Sequence, residues 1–395
     1  MKIRSIEEIK NIKDSLFLVR VDFNIPMKSN RVVEDIKLRR SLKTIKYLAK
    51  SGGRVVLMSH FGRPKGRVND KYSLKPVGRH LAKLLKKRVI FNERKFFSSK
   101  FDQAISRVRP GEVMLLENTR FYPGEKKNDF GFSKALSRNF DYFINDAFAS
   151  CHRAHASVVG VAKFLPSFAG FSLLEEVNNL IVARDNPKKP LVVIIGGAKI
   201  STKIKIIRKF IPKAKQILLG GGLVNSLLET MGCEIGSSLI DKEGRAEAKK
   251  LRKYLGKKIV MPLDVVIGKA KTGRKAGIIN VGKADPGLCK KGEAVYDIGP
   301  KTVNLYKKHI RGAKTVIWNG PLGYIELPQF AKATNEVART IAGSRAKSYV
   351  GGGETLMVIE KLRLTKKYTF VSTGGGAMLE FLEGKKLPGL EPLKK

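Results

Sequence analysis

The sequence predicts an α/β protein in two halves, each a parallel sheet covered by helices. Three observations carry this. In residues 1–170, short β-branched or aliphatic runs alternate with longer stretches of helical spacing. The stretch SLLEEVNNLIVARDNPKKP (172–190) reads as one helix closed by Asn186-Pro187, and the texture changes after it. Beyond that break one unit recurs five times, an apolar strand running into glycines and then a helix. The length agrees: 395 residues, at roughly 100–200 per domain, make two or three domains, and 43% hydrophobic content supplies each with a core.

The strands of the first half are expected at LFLVRV (16–21), RVVLMS (54–59), RVIF (88–91), EVMLLE (112–117) and DYFIND (141–146). Between them, SLKTIKYLAKSG (41–52) and SLKPVGRHLAKLLKK (73–87) place Leu, Ile, Val and Ala at three- and four-residue intervals, with lysines on the opposite, solvated face. The five junctions of the second half are LVVIIGGAKIS (191–201), QILLGGGLVNSLL (216–228), TVIWNGPLG (315–323), SYVGGGETLMVIEKL (348–362) and TFVSTGGGAMLEFLEG (369–384).

Composition narrows the function. Lys+Arg 78 against Asp+Glu 34 gives a formal charge of +44. The excess divides almost evenly between residues 1–170 and 171–395 and forms no basic tail or arm. A solvated basic surface is expected, with at most weak electrostatic binding of nucleic acid, because dedicated binding needs a clustered patch or a named module. The cysteines Cys151, Cys233 and Cys289 form no C-x-x-C pair and no metal-ligand spacing, which fits a reducing cytoplasm. The N-terminus lacks a secretory pattern, and no run approaches the roughly 18 apolar residues of a membrane span.

Glycine lets a backbone approach a ligand closely and aims successive N–H groups at an anion, and a following helix N-terminus adds its dipole. In an open parallel sheet such turns all lie at the carboxyl ends of the strands, so the five junctions are expected to line one nucleotide or phosphate crevice. A single junction reads equally well as a tight turn. The G-x-G-x-x-G fingerprint of dinucleotide enzymes is absent. A near-match to a phosphate loop, Gly277 to Lys283, carries Ala284 where Ser or Thr would hold magnesium, and GIINVG reads better as a strand and its turn. Lys199 and Lys203, four apart in GGAKISTKI, are expected on one face of a helix start as phosphate ligands.

The first half ends its strands in polar groups instead: Arg20, Asp22, Asn24, His60, Arg63, Arg120 and Arg153. Planar arginines suit bidentate recognition of phosphate or carboxylate, and Asp and Asn suit a substrate hydroxyl. Each also has a local reading, with Arg120 pairing Glu117, His60 capping a helix or a buried carbonyl, and Asp146 serving as an N-cap. Together they describe a small, doubly anionic substrate facing a nucleotide across a hinge.

VRVDFN, SHFGRPKG, LLENTRFYPGE, NDAF followed by HRAHAS, GGAKIS, DIGPKT, WNGPLG, GGGET and STGGGAMLEFLEGKKLPG occur in that order. The chain thereby resembles the phosphoglycerate kinase family over nearly its whole length. The resemblance implies two Rossmann-like lobes: residues 1–171 binding phosphoglycerate, a hinge helix at 172–186, a nucleotide-binding lobe at 187–376, and a tail at 377–395 returning to the first lobe. It implies reversible phosphoryl transfer between 1,3-bisphosphoglycerate and Mg-ADP, giving 3-phosphoglycerate and ATP, in a cytoplasmic monomer with no membrane partner. It assigns Asp22, Phe23, Asn24, Lys37, His60, Arg63, Arg120 and Arg153 to the phosphoglycerate. Lys203, Gly221, Gly222, Asn319, Glu326, Gly352, Gly353, Glu354 and Thr355 go to the nucleotide, and Gly374, Gly375 and Gly376 to a phosphate-stabilising loop. Lys199 steadies the phosphoryl group in flight, with Lys37 and Arg39 also placed in the catalytic set, and Glu354 holds magnesium.

Two positions depart from the family pattern. Lys37 stands where the motif has an arginine, with Arg39 two residues on; a lysine keeps the charge and loses the planar fork. Glu354 stands where the family usually has an aspartate as magnesium ligand, one methylene shorter. These imply retuned or reduced activity in preference to an inactive pseudoenzyme, the other reading weighed alongside a basic nucleic-acid-binding protein and a dehydrogenase.

Overall fold

The structure is a computed structural model and describes residues 1–93, 96–270, 272–282 and 287–395. The chain divides into two compact units, Met1–Asn178 with Lys385–Lys395, and Asn179–Gly384.

In the first unit the strands are β1 (Leu16–Arg20), β2 (Met27–Lys28), β3 (Arg31–Val32), β4 (Arg54–Met58), β5 (Val89–Asn92), β6 (Val113–Leu116), β7 (Tyr142–Asn145) and β8 (Ser167–Ala169). Six of them form a sheet in the order β5-β6-β4-β1-β7-β8, and every pairing is parallel. β2 and β3 make a separate antiparallel hairpin. The five expected strands are all present; β8 and the hairpin lacked a long enough apolar run to announce themselves. The helices are α1 (Ile36–Lys50), α2 (Lys75–Leu85), α3 (Ser99–Ser106), α4 (Pro123–Lys127), α5 (Phe130–Ser137) and α6 (Phe171–Asp185). β1 is buried along its whole length, as a strand covered on both faces must be. Its alternate residues feed two cores: Phe17 and Val19 pack with Ile45, Leu48 and Leu81, while Leu16 and Leu18 pack with Phe101, Leu136 and Phe143.

The start of α1 lies earlier than the spacing over 41–52 predicts, which brings Lys37 and Arg39 onto its first turns. α6 covers the expected 172–186 stretch to within a residue at each end, and the boundary between the units, at 178/179, falls inside it. The local reading of Asp146 as an N-cap residue fails, because Ala147 precedes the short helical turn Phe148–Ser150 and supplies no side-chain cap; Asp146 Oδ1 instead accepts the backbone N–H of Ser172 (2.8 Å) and Leu173 (3.2 Å) at the start of α6. The C-terminal residues from Lys385 belong to the first unit, where Gly389 N–H donates to the Cys151 carbonyl (2.9 Å).

The second unit has β9 (Leu191–Ile195), β10 (Gln216–Leu219), β11 (Ile259–Val260), β12 (Asp264–Lys269), β13 (Lys275–Asn280), β14 (Glu293–Ile298), β15 (Thr315–Asn319), β16 (Lys347–Gly351) and β17 (Phe370–Ser372). Its helices are α7 (Ile204–Phe210), α8 (Gly222–Thr230), α9 (Arg245–Leu251), α10 (Pro300–Arg311), α11 (Lys332–Ala342), α12 (Gly353–Lys361) and α13 (Gly376–Glu383). The main sheet runs β11-β10-β9-β15-β16-β17 with all pairings parallel. β12, β13 and β14 form an additional antiparallel sheet that the search for strand–glycine–helix units passed over. GIINVG is the strand β13 and the turn after it, as read from the sequence; Lys283 and Ala284 lie outside the described residues.

Two sequence expectations are corrected here. β15 does not run directly into a helix, because the next α-helix begins only at Lys332. Lys199 and Lys203 share no helix face: α7 begins at Ile204, Lys203 is its N-cap residue, and Lys199 sits in the preceding turn.

Candidate active site

Parallel pairing puts the glycine turns after β9, β10, β15, β16 and β17 at the same end of one sheet. They lock together through backbone hydrogen bonds. Gly196 N–H donates to Asn319 O (2.9 Å), Gly197 N–H to Pro321 O (3.0 Å) and Gly221 N–H to Leu322 O (2.7 Å). The packing leaves no room for side chains: a Cβ on Gly196 would lie 1.9 Å from Pro321 O. Gly221, Gly352 and Gly375 have φ of +64°, +104° and +52° and stand as N-caps of α8, α12 and α13, none with a side-chain cap. Three helix N-termini thus keep uncapped N–H groups at one end of the sheet, an arrangement suited to phosphate.

Two cavities open there. One, of about 330 Å³, is walled by Gly197, Gly221, Gly222, Tyr296, Glu326 and Glu354 among others. The second, of about 340 Å³, has Lys203, Asn319, Gly352, Gly353, Thr355, Gly375 and Gly376 on its wall, and shares Glu354 with the first. Lys203 Nζ donates to Asn319 Oδ1 (2.6 Å), and Asn319 Nδ2 donates to Gly351 O (2.9 Å), so one amide bridges the ends of β15 and β16 and aims the ammonium. Thr355 is buried and its Oγ1 accepts Gly320 N–H (2.9 Å). Burial pushes Lys203 down to about 8, partly offset by the Glu354 and Glu383 carboxylates. Lys199 is exposed and lies on neither wall, although its neighbour Ala198 lines both cavities. Gly374 is buried, and its N–H donates to Ser372 Oγ (3.1 Å).

The first unit gathers cations. Arg20 is completely buried, with Nη2 2.7 Å from His60 Nδ1 and Nε donating to Ser157 Oγ (3.0 Å). Arg120 Nη1 donates to Gly62 O (2.7 Å), and its Nε is buried without a partner among the described residues. Burial, with Arg153, Arg20 and Arg63 as like-charged neighbours, pushes Arg120 down to about 10. Burial and the charges of Arg20, Arg120, Arg153 and Lys37 hold His60 well below the usual histidine range, so it is neutral at physiological pH. Lys37 Nζ meets Asp22 Oδ2 at 2.8 Å and also donates to Asn24 O (3.1 Å). Asn24 Oδ1 accepts Gly62 N–H (3.0 Å).

Asp22, Asn24, Lys37, His60, Arg63, Arg120 and Arg153 therefore interact in one neighbourhood, by hydrogen bond or by charge. Two assigned residues sit elsewhere. Arg39 is bonded in two-point fashion to Asp35 (2.7 and 3.0 Å), which also meets His80 Nε2 at 3.0 Å. Phe23 is fully buried in the core, with its N–H donating to Ser59 Oγ (2.9 Å). Glu117 accepts from Ser73 and Leu74 at the start of α2 and not from Arg120, so the local reading of that pair fails. Sequence reasoning also passed over Glu125, Ser150 and Ser157. All three fall within or beside quoted motifs, but nothing local marks them as partners of Arg20.

The family model for phosphoglycerate kinase matches residues 6–385. The chain belongs to the phosphoglycerate kinase family. Phosphoglycerate kinase of Moorella thermoacetica is 42% identical over 380 residues, covering 95% of each chain. That of Borreliella afzelii is 41% identical, covering 100% of both. Among solved structures, phosphoglycerate kinase from Coxiella burnetii superposes with a TM-score of 0.85 at 36% identity, covering 99% of each chain. The enzyme from Pyrococcus horikoshii gives 0.88 at 31%, covering 99% of this chain and 98% of its own. The fold and the enzyme class inferred from the motifs stand: an α/β phosphotransferase of glycolysis and gluconeogenesis, with the pseudoenzyme and nucleic-acid readings unsupported. Among the described residues no helix is long and apolar enough to cross a membrane.

Proposed function

We propose that this kinase binds 3-phosphoglycerate and 1,3-bisphosphoglycerate at the His60–Arg120–Arg153 cluster and ATP or ADP at the glycine turns of the second unit. The observation that supports this most is the division of labour: buried, mutually repelling guanidinium groups in one unit and uncapped helix N-termini in the other. A substrate carboxylate is already an ionised nucleophile and needs no general base, so the protein's tasks are positioning, charge neutralisation and exclusion of water. Arg63, Arg120, Arg153 and Lys37 hold the anionic ends of the phosphoglycerate, and Asp22 and Asn24 take its hydroxyl. Lys203 and the turns at Gly221, Gly352 and Gly375 take the nucleotide phosphates, and Lys199 supplies charge to the group in transfer.

Magnesium enters with the nucleotide. Glu354, exposed on the first turn of α12 and lining both cavities, offers one oxygen ligand. Among the described residues no cluster of three or more His, Cys, Asp or Glu builds a resident metal site. One carboxylate plus substrate phosphates is the donor set that suits a magnesium keeping much of its water. When bound, the ion neutralises phosphate charge. The deciding experiment is a coupled assay of ATP consumption dependent on 3-phosphoglycerate and magnesium; no turnover with both present would reject the assignment.

In-line transfer needs the reacting oxygen and phosphorus within about 3–3.5 Å, and the two ligand sets belong to different units, so turnover requires the units to be brought together around both substrates. Small-angle scattering should show partial compaction with either substrate and full compaction with both. A radius of gyration unchanged in the ternary complex, with full activity, would refute closure.

The pH dependence follows from Lys203. Its ammonium discharges as pH rises through about 8, so the KM for ATP should climb above that pH and lose the dependence in Lys203→Gln. A flat profile in the native enzyme would remove Lys203 from the nucleotide site. We also propose a cytoplasmic monomer whose basic surface acts as bulk charge. Retention on heparin should then vanish by about physiological salt, and selective RNA binding at that salt would contradict it.

A further inference from the structure

The Arg20 guanidinium is the buried charge that the reading above leaves without a ligand contact. Its hydrogen bonds account for nearly all its donors. Nη1 donates to the Val21 carbonyl, Nη2 to Ser150 Oγ (3.2 Å) and His60 Nδ1 (2.7 Å), and Nε to Ser157 Oγ (3.0 Å). A guanidinium has no acceptor, so the 2.7 Å contact fixes His60 Nδ1 as the acceptor and leaves the ring proton on Nε2. No described protein group bonds Nε2. The imidazole is thereby held as a neutral donor whose free N–H is available to an anionic ligand.

The other end of the chain is Glu125, a carboxylate with no exposed surface. Ser157 donates its hydroxyl to Glu125 Oε1 (2.6 Å) and its backbone N–H to Oε2 (2.9 Å). Because the Ser157 proton is committed to Glu125, the hydroxyl lone pair faces Arg20 Nε. The direction of every bond is set: His60, Arg20, Ser157, Glu125. Glu125 is also the leading charge that favours the buried Arg20 cation. The groups facing this chain are His155, 3.8 Å from Glu125, with Arg120, Arg153, Lys126, Lys37 and Asp22 around it.

We propose that Glu125 is a positioning residue which, through Ser157 and Arg20, fixes His60 in the neutral Nε2–H form that receives the phosphoglycerate. The proposal rests on the assignment of His60 to that substrate. The relay explains why so cationic a neighbourhood keeps a fully buried carboxylate: without it, Arg20 loses the acceptor that orients its fork and the charge that offsets its burial.

The test uses the full-length protein and variants Ser157→Ala, Glu125→Gln and Glu125→Asp. Imidazole ¹⁵N spectra report the His60 tautomer, and steady-state kinetics separate the two substrates. In the native protein His60 should show the Nε2–H tautomer and stay unprotonated through the usual histidine range. In Ser157→Ala and Glu125→Gln the tautomers should mix, and KM for 3-phosphoglycerate should rise about tenfold, as for loss of one charge-assisted hydrogen bond. KM for ATP should stay unchanged, and Glu125→Asp should recover part of the loss. An unaltered His60 spectrum in Ser157→Ala overturns the relay, and that variant decides the matter should Glu125→Gln fail to fold. A shifted tautomer with unchanged KM for 3-phosphoglycerate leaves the relay standing and overturns the placement of His60 in the substrate site.

Discussion

Lys199→Ala should lower kcat by about 10²–10³, the usual cost of removing one group that stabilises transition-state charge, while KM for ATP moves by no more than a few-fold. The contrast with Lys203 is the reason. Lys203 is held by Asn319 on the wall of a cavity and, on the proposed assignment, would face the resting nucleotide, so its loss should act on binding. Lys199 lies one residue beyond Ala198, exposed in the turn between β9 and α7, where a long side chain is at liberty to follow a group that moves. Its charge is felt by Asp241, which anchors the same turn by accepting Ser201 N–H at 2.7 Å. Lys199→Arg, which keeps the charge, should retain more turnover than the alanine variant. Single-turnover rates are the measurement. A Lys199→Ala enzyme within a few-fold of native would make this a surface lysine and shift the task to Lys203 or to the helix N-termini.

What the sequence made legible was periodic or local. Strands such as LFLVRV and LVVII are buried on both faces, so their apolar runs are unbroken, and glycine turns needed at five strand ends are visible as letters. The parallel character of each main sheet followed from the alternation of strand and helix, while the order of its strands did not. The antiparallel strands β12–β14 escaped because they sit outside that rhythm. Within the site, the cations at strand ends were readable because their residue type carries the chemistry. Their partners were not. Glu125 lies 32 residues from Ser157, and Ser157 lies 137 from Arg20, so a chain of ordinary hydrogen-bonding residues is assembled only by the fold. Arg39 shows the converse: proximity to Lys37 in the sequence suggested a shared role, yet the helix turns it toward Asp35, which also meets His80.

Arg120→Met should weaken 3-phosphoglycerate binding by about 10²–10³ and raise the melting temperature of the ligand-free protein. Both effects come from the same surroundings. In the free protein Arg120 is 7% exposed, its Nε has no partner among the described residues, and Arg153, Arg20 and Arg63 repel it. The folded state lowers its affinity for a proton to about 10, below the ordinary arginine value, so the charged form is disfavoured by folding. At neutral pH the group is protonated folded and unfolded alike, and that penalty is present in full. Methionine keeps the apolar stem and removes the charge. The opposing loss is one hydrogen bond to the Gly62 carbonyl, worth about 1 kcal/mol net, and Gly62 is accessible enough for water to replace it. The relief of burial and repulsion should win, giving a rise of about 2–4 °C for each net kcal/mol in a unit of this size. On the proposed assignment a doubly anionic ligand would reverse the balance by partnering Nε and neutralising the cluster; removing one desolvated member of such a pairing costs about 2–5 kcal/mol. Calorimetry with and without 3-phosphoglycerate reads both effects, with Arg120→Lys as the control that keeps the charge and should not stabilise. A melting temperature that falls in Arg120→Met while binding persists would show that Arg120 is a structural residue and that the anion is held elsewhere.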